Sequence, residues 1–290
     1  MRIGVFGSEC EYNKLPVIKC LFDKLSHFNT EVYIQSSYND FLNETFDYYP
    51  EKSDVIGDDA SALDIVLSVG GDGTFLRTAL QVNKQNVPIL GINTGRLGFL
   101  ADISNNQIEE TIDELFRGEF KVEERSLLRL HVEGKAFNGF NYALNEIAIS
   151  KRENSSMITI HTYLNNDYLT SYQADGLVIA TPTGSTAYSM SVNGPILLPQ
   201  NNNFILSPVA PHSLNVRPVV IPDDYLMTLN VESRTKSFLV SLDGRSEDMP
   251  AGIILKINKA EFKTRIIKRL NQTFYQTLRE KLMWGADRRS

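Results

Sequence analysis

Between residues 63 and 74 an apolar run rich in β-branched residues ends abruptly on Gly70-Gly71-Asp72-Gly73-Thr74, and no other stretch restricts the folding of this chain as tightly. Residues 65–69 suit a buried strand, and from Thr74 to Lys84 the side chains of Phe75, Leu76, Ala79 and Leu80 share one helical face. The pattern predicts a carboxylate at a strand-to-helix turn. Gly70, Gly71 and Gly73 permit positive φ and a close ligand approach, while the helix start offers unpaired N–H groups to phosphate oxygens. Taken alone, Gly-Gly-Asp-Gly is equally a tight turn. The flanking strand and helix favour a site, because ligands of open α/β sheets bind beyond the carboxyl ends of strands.

With 290 residues, 42% of them hydrophobic, the chain has material for two domains. A formal net charge of −6 argues against a broad nucleic-acid surface, which needs a basic field. A phosphate ligand would be met locally, by backbone dipoles, a few arginines or a metal ion. Cys10 and Cys20 are too few for a zinc site of the usual ligand count and fit a reducing compartment. No apolar stretch has the length of a membrane span, and the N-terminus lacks an apolar leader core. The expectation is a cytoplasmic protein without membrane or nucleic-acid partners.

The first hundred residues alternate strand and helix signals. Residues 2–6, 31–34, 65–69 and 87–93 read as strands, Leu15, Ile18, Phe22 and Leu25 recur at helical spacing, and residues 40–59 read as an irregular connection. This implies a parallel sheet flanked by helices. Ser104 and Gln107 form a candidate capping box for a helix carrying Ile108, Ile112, Leu115 and Phe116, stopped by Gly118 and expected to bridge two domains. From residue 127 onward many short β runs follow, including a hairpin turning at Asn165-Asn166-Asp167. The fold expected is an α/β N-terminal domain, residues 1–102, followed by a β-rich C-terminal domain, residues 103–267. A final helix bearing Phe274, Leu278 and Leu282, within residues 268–290, would return to the first domain.

Within the β-rich half, Asp175-Gly176 leads through a strand into Thr181-Pro182-Thr183-Gly184-Ser185-Thr186-Ala187-Tyr188, a cluster of hydroxyls able to bond a sugar or a base and equally able simply to turn the chain. Asn145 and Glu146 are two polar residues inside an apolar run. Together with 91–100 (Gly-Ile-Asn-Thr-Gly-Arg-Leu-Gly-Phe-Leu), Asn193-Gly194-Pro195, Pro211-His212-Ser213-Leu214 and Arg217-Pro218, these motifs occur in an order that closely resembles the NAD kinase family across most of residues 1–260. Gly-Gly-Asp-Gly-Thr is shared with lipid and sphingoid kinases; the Thr-Pro-Thr-Gly-Ser-Thr-Ala-Tyr string separates this family from them.

The resemblance implies ATP-dependent phosphorylation of the 2′-hydroxyl of the adenosine ribose of NAD, giving NADP. It also implies a divalent cation, with Mg²⁺ the expected one and no protein ligand assigned, an active site between the domains, and a homo-oligomer, tetramer or dimer, in which a neighbouring subunit completes the NAD pocket. Asp72 would be catalytic, either accepting the hydroxyl proton or orienting the hydroxyl beside Mg²⁺. Gly73 would offer its amide and Arg77 a guanidinium to anionic oxygens, the alternative for Arg77 being a solvated helix residue. Asn145 and Glu146 would bind NAD, the pocket being completed by Asp175, Thr186, Ala187, Tyr188, Ser189, Met190 and Ser191, with Ala210 contributing backbone. Gln173 and Arg245 depart from residues common in the family, a basic side chain and a glutamine respectively. The competing readings are a lipid or sphingoid kinase built on the same glycine-rich turn, and a non-catalytic NAD(H)-binding sensor.

Overall fold

The structure, a computed structural model, describes residues 1–57, 59–152 and 156–285. It divides into two compact units, residues 1–124 with 264–290 and residues 125–263. Of the tail expected to return to the first domain, residues 286–290 lie outside the described residues.

The first unit is built on parallel strands. β1 (Arg2–Gly7), β2 (Glu31–Gln35), β3 (Ser53–Ile56), β4 (Ile65–Gly70) and β5 (Ile89–Asn93) lie in the order β5-β4-β1-β2-β3. All their pairings are parallel. β4 and β5 are buried along their whole length, as strands covered on both faces must be. The covering helices are α1 (Leu15–Ser26), α2 (Ser36–Phe46), α3 (Asp72–Val82) and α4 (Ile108–Arg117).

Residues 40–59, expected to be irregular, contain most of α2 and all of β3. Tyr38, Leu42 and Phe46 recur every fourth residue and bury one stripe of α2, so sparse apolar positions in a polar sequence were enough to form a helix against the sheet. α4 begins behind the capping box of Ser104 and Gln107 and stops at Gly118 in the left-handed conformation (φ 72°). It belongs to the first unit and does not bridge: Lys24 of α1 reaches Asp113 at 2.7 Å, and Ile108, Ile112 and Leu115 share the core of Ile18, Leu21 and Phe22.

The second unit is antiparallel. After β6 (Phe120–Val132) come β7 (Tyr142–Ala143), β8 (Glu146–Ser150), β9 (Ile158–Leu164), β10 (Asp167–Ala174), β11 (Gly176–Ala180), a short helix α5 (Tyr188–Ser191), β12 (Asn203–Val209), β13 (Val219–Pro222), β14 (Met227–Glu232), β15 (Ser237–Leu242), β16 (Arg245–Pro250) and β17 (Ile254–Arg269). One sheet has the order β13-β12-β11-β8-β15-β16; in the other, β10-β9-β14-β17 is extended by β6 and β7. Inward residues of both sheets, among them Ile147, Ile179, Phe204, Ile160, Leu229 and Leu255, make one core. Asn165 (φ 50°) and Asn166 (φ 74°) turn the β9–β10 hairpin, as their identity predicts.

β17, 16 residues long, is far longer than the short β runs expected of this half. Beyond the division between the units it continues to Arg269, where Ile266 pairs in parallel with Ile89 of β5. The last helix, α6 (Phe274–Leu282), follows after one turn, capped by the Thr273 side chain. Arg269 donates two hydrogen bonds to the Glu114 carboxylate, at 2.6 and 2.7 Å, and meets Glu110 at 2.6 Å. Glu114 and Arg269 are both buried, so each depends on the other for compensation. Arg269→Met is expected to destabilise the protein by about 3 kcal/mol, the penalty of a buried carboxylate left alone. Adding Glu114→Gln should recover part of that loss in urea melts.

Candidate active site

Asp72 is the first residue of α3, so the glycine bend is shorter than the sequence suggests. Of its three glycines only Gly70 takes positive φ (153°); Gly71 and Gly73 do not, because the first helical hydrogen bond, Phe75 N–H to Gly71 O, already draws them into the helix. The Asp72 carboxylate is held by the loop after β5. Its Oδ1 accepts the N–H groups of Leu100 and Ala101 and its Oδ2 that of Phe99, each at 3.0 Å. Lys281 of α6 adds an ammonium 3.1 Å from Oδ2. Burial pushes the Asp72 pKa up, but the Ala101 amide, Lys281 and the other two amides outweigh it, and the carboxyl is held below its usual range. Gly98 makes the arrangement possible: a methyl there would run into the Asp72 carboxylate and the Ala101 carbonyl.

The loop that grips Asp72 is itself anchored from the C-terminal segment. Lys268 meets Asp102 at 2.7 Å, both buried, and Gln272 donates to the Asp102 carbonyl at 3.0 Å. Arg77, one turn into α3, has Nη2 3.4 Å from Thr74 Oγ1 and lines a cavity of about 380 Å³ with Gly7, Ser8, Ser37, Tyr38 and Phe41. Ser8 Oγ and Thr74 Oγ1 are 2.7 Å apart beside it. Arg77 thus contacts the hydroxyl of Thr74 in the glycine-rich turn. No neighbouring atom crowds the space that a side chain at Gly73 would occupy.

In the second unit Asn145 and Glu146 stand where β7 passes into β8. Asp243, in the Asp243-Gly244 turn between β15 and β16 (φ 46° and 82°), accepts the N–H groups of Leu144, Asn145 and Glu146 at 2.7, 2.9 and 3.1 Å. Thr181 donates its hydroxyl to the Leu144 carbonyl at 2.6 Å and its N–H to the Asn145 carbonyl at 2.9 Å. Gly184 lies against that same carbonyl, where any side chain would collide, so the hydroxyl-rich string is moulded onto Asn145. The Tyr188 N–H faces the Glu146 carboxylate, whose Oε2 is buried without a partner. Burial, followed by the charge of Asp243, pushes the Glu146 pKa from its ordinary 4.5 to about 8.

The remaining expected residues separate into groups. Thr186, Ala187, Tyr188, Met190 and Ser191 lie on the turn and short helix that follow Gly184, with Tyr188 and Ser191 exposed. The Ser189 side chain points instead into the interior, 3.3 Å from Ser207 Oγ. Asp175 and Ala210 sit together at the opposite end of β11, where the Asp175 N–H bonds the Val209 carbonyl and the Asp175 carboxylate pairs with Lys151 at 2.7 Å. Because Gly176 aligns with Ser150 while Ala180 aligns with Glu146, that end lies roughly 17 Å from Glu146, five residues of strand. Ala210 is an exposed alanine at φ 43°, a conformation that non-glycine residues seldom adopt. Arg245 is an internal brace: its guanidinium bonds the carbonyls of Phe140 and Tyr142. Gln173 and His212 are joined through backbone, His212 N–H to Gln173 O at 2.9 Å.

Residues 17–120 match the family model described as the ATP-NAD kinase N-terminal domain, and residues 144–269 match that of the ATP-NAD kinase C-terminal domain. The chain belongs to the NAD kinase family. An NAD kinase of Bacteroides fragilis is 48% identical over 289 residues, spanning all of both chains, and one of Porphyromonas gingivalis is 46% identical over 98% of each. Among solved structures, an NAD kinase from Archaeoglobus fulgidus in complex with ATP superposes with a TM-score of 0.77 at 25% identity, covering 98% of this chain and 99% of that one. Yeast NADH kinase complexed with NADH gives 0.86 at 21% identity over 99% of this chain and 89% of that one, a likeness of fold. Membership removes the lipid-kinase reading. The sequence reasoning missed Asp243, Lys281 and the 99–101 amides; of these only Asp243, in an Asp-Gly turn beside the noted Arg245, carried a local signal.

Among the described residues no group of three or more His, Cys, Asp or Glu side chains converges to cage a metal ion. The groups bonded to the Asp72 carboxylate are N–H groups and an ammonium, which offer a cation no ligand.

For Glu146 the sign of its pH effect is fixed. Between about pH 4.5 and pH 8 the folded protein keeps a proton that the unfolded chain has released, so stability falls as pH rises across that window. Glu146→Gln, neutral throughout, is expected to lose less stability between those limits than the natural protein, by about 1–2 kcal/mol, read as urea midpoints near each end.

Proposed function

We propose that this chain is an ATP-dependent NAD kinase in which Asp72 receives the proton of the adenosine 2′-hydroxyl. Full-length identity of 40–48% with proteins of that name supports the activity. The held, ionised carboxylate at the glycine-rich turn is the observation that supports the residue. In the transfer, O2′ bonds to the γ-phosphorus of ATP as the bond to the β,γ-bridging oxygen breaks, ADP leaves, and the hydroxyl proton passes to Asp72. Positioning and charge neutralisation do most of this work, and rigid amide anchoring suits it.

Arg77, with Gly73 N–H, meets anionic oxygens, and Mg²⁺ bound with ATP would neutralise charge on the phosphates. Asn145 and Glu146 hold the dinucleotide, with Thr186, Ala187, Tyr188, Met190 and Ser191 around it. The protonated state of Glu146 lets it donate as well as accept toward ribose oxygens. Asp175 and Ala210, a strand's length from Glu146, serve the pocket of a neighbouring copy in a homotetramer or dimer. Two free cysteines suit a cytoplasmic setting.

The test is NADP formation by purified protein from ATP, Mg²⁺ and NAD, followed chromatographically. Asp72→Asn is expected to bind NAD while losing turnover by on the order of 10²- to 10⁴-fold. Near-normal turnover in that variant would remove Asp72 from the mechanism.

A further inference from the structure

The Asp72 carboxylate has no free acceptor site. Two carboxylate oxygens offer about four lone-pair positions, and four donors occupy them: Leu100 and Ala101 N–H on Oδ1, Phe99 N–H and Lys281 Nζ on Oδ2. Three of these donors are consecutive backbone groups in a loop tied by Gly98 N–H to Ala101 O at 3.0 Å and by the Lys268–Asp102 pair. They leave only if the loop opens. The fourth is a side-chain ammonium on a nine-residue helix, and in this ion pair the Lys281 and Asp72 side chains are 28% and 30% exposed, the kind of contact that contributes little and exchanges readily.

A hydroxyl that is to give Asp72 its proton must first hydrogen-bond to it, at about 2.6–3.2 Å. We infer that Lys281 is a positioning residue that holds the substrate hydroxyl's place on Asp72, occupying the Oδ2 site in the free enzyme and yielding it when the nucleotide binds. The inference rests on Asp72 being the proton acceptor proposed above. A second station is built in: Nζ already lies 4.4 Å from the centroid of the Phe99 ring, where a displaced ammonium keeps an attractive partner beside the reacting centre. The hydroxyl proton goes to Asp72 Oδ2. The other charges near Asp72 are Asp102 and its partner Lys268, unchanged in the variants below.

The experiment compares full-length wild type, Lys281→Met and Lys281→Arg. Removing the placeholder is expected to lower the KM for NAD by about two- to fivefold and to move the acid limb of kcat/KM to higher pH, because Asp72 loses a cation that favours its ionised form. Lys281→Arg should restore both toward wild type. A KM that rises, or a methionine variant identical to wild type in KM and acid limb, overturns the inference. Independently of turnover and of variant folding, NMR of the Lys281 side chain in wild-type protein should shift on titration with NAD, and an unmoved signal with NAD bound overturns it as well. Failure of wild type to form NADP would strike the proposed activity, whereas the ligand-free Asp72 carboxyl titration, expected at higher pH in Lys281→Met, reads the Lys281 contact alone.

Discussion

The grip of three consecutive amides on the Asp72 carboxylate is the contact on which the candidate site depends. It joins the first residue of α3 to the loop after β5, and so converts a glycine-rich bend into a fixed position for a charge. The same contact explains otherwise unrelated features: the side-chain-free position at 98, the buried Lys268–Asp102 pair behind the loop, and Gln272 bonding the Asp102 carbonyl. Each keeps the loop where its N–H groups converge. A carboxylate stabilised this way is a weak base at rest, so on the proposed mechanism proton transfer to it becomes favourable only as bonding to phosphorus makes the hydroxyl more acidic.

Asp243 uses the same device for a different end. It too captures three consecutive N–H groups, those of residues 144–146, from a turn with positive φ. The charge of Arg245 acts on it, and it shapes the chain at Asn145 and Glu146. The chemistry of a carboxylate in this molecule follows from what else can reach it. Asp72 has one side-chain donor, Lys281, beside its three amides, whereas Asp243 accepts from three backbone groups.

Much of this was legible in the sequence. The strand before Gly70, the helix after it, the capping box at Ser104, the Asn165-Asn166 turn and the stripe of α6 all follow from local periodicity and turn chemistry. What local signals could not carry was partnership at long range. Lys281 lies 209 positions from Asp72, and nothing in Arg-Glu-Lys-Leu distinguishes it from a solvated helix face. Ser189 looked like its neighbours in a hydroxyl-rich string, yet its register turns it inward to Ser207. Residues 40–59 misled because α2 needs only three buried side chains to hold to its sheet. The 16-residue length of β17 is hidden by Asn258-Lys259, Glu261 and Lys263-Thr264-Arg265, which interrupt its apolar positions.

That strand has a consequence for how the polypeptide assembles on the ribosome. The first unit lacks its β5 neighbour, its Glu114 partner and its Asp72 counter-cation until residues 264–281 have been made, although most of the unit was synthesised some 140 residues earlier. The intervening β-rich unit is contiguous in sequence and has all its strand partners, except the last part of β17, before the tail emerges. Early synthesis therefore leaves an incomplete parallel sheet waiting with an open edge, the state most exposed to mispairing with other nascent chains.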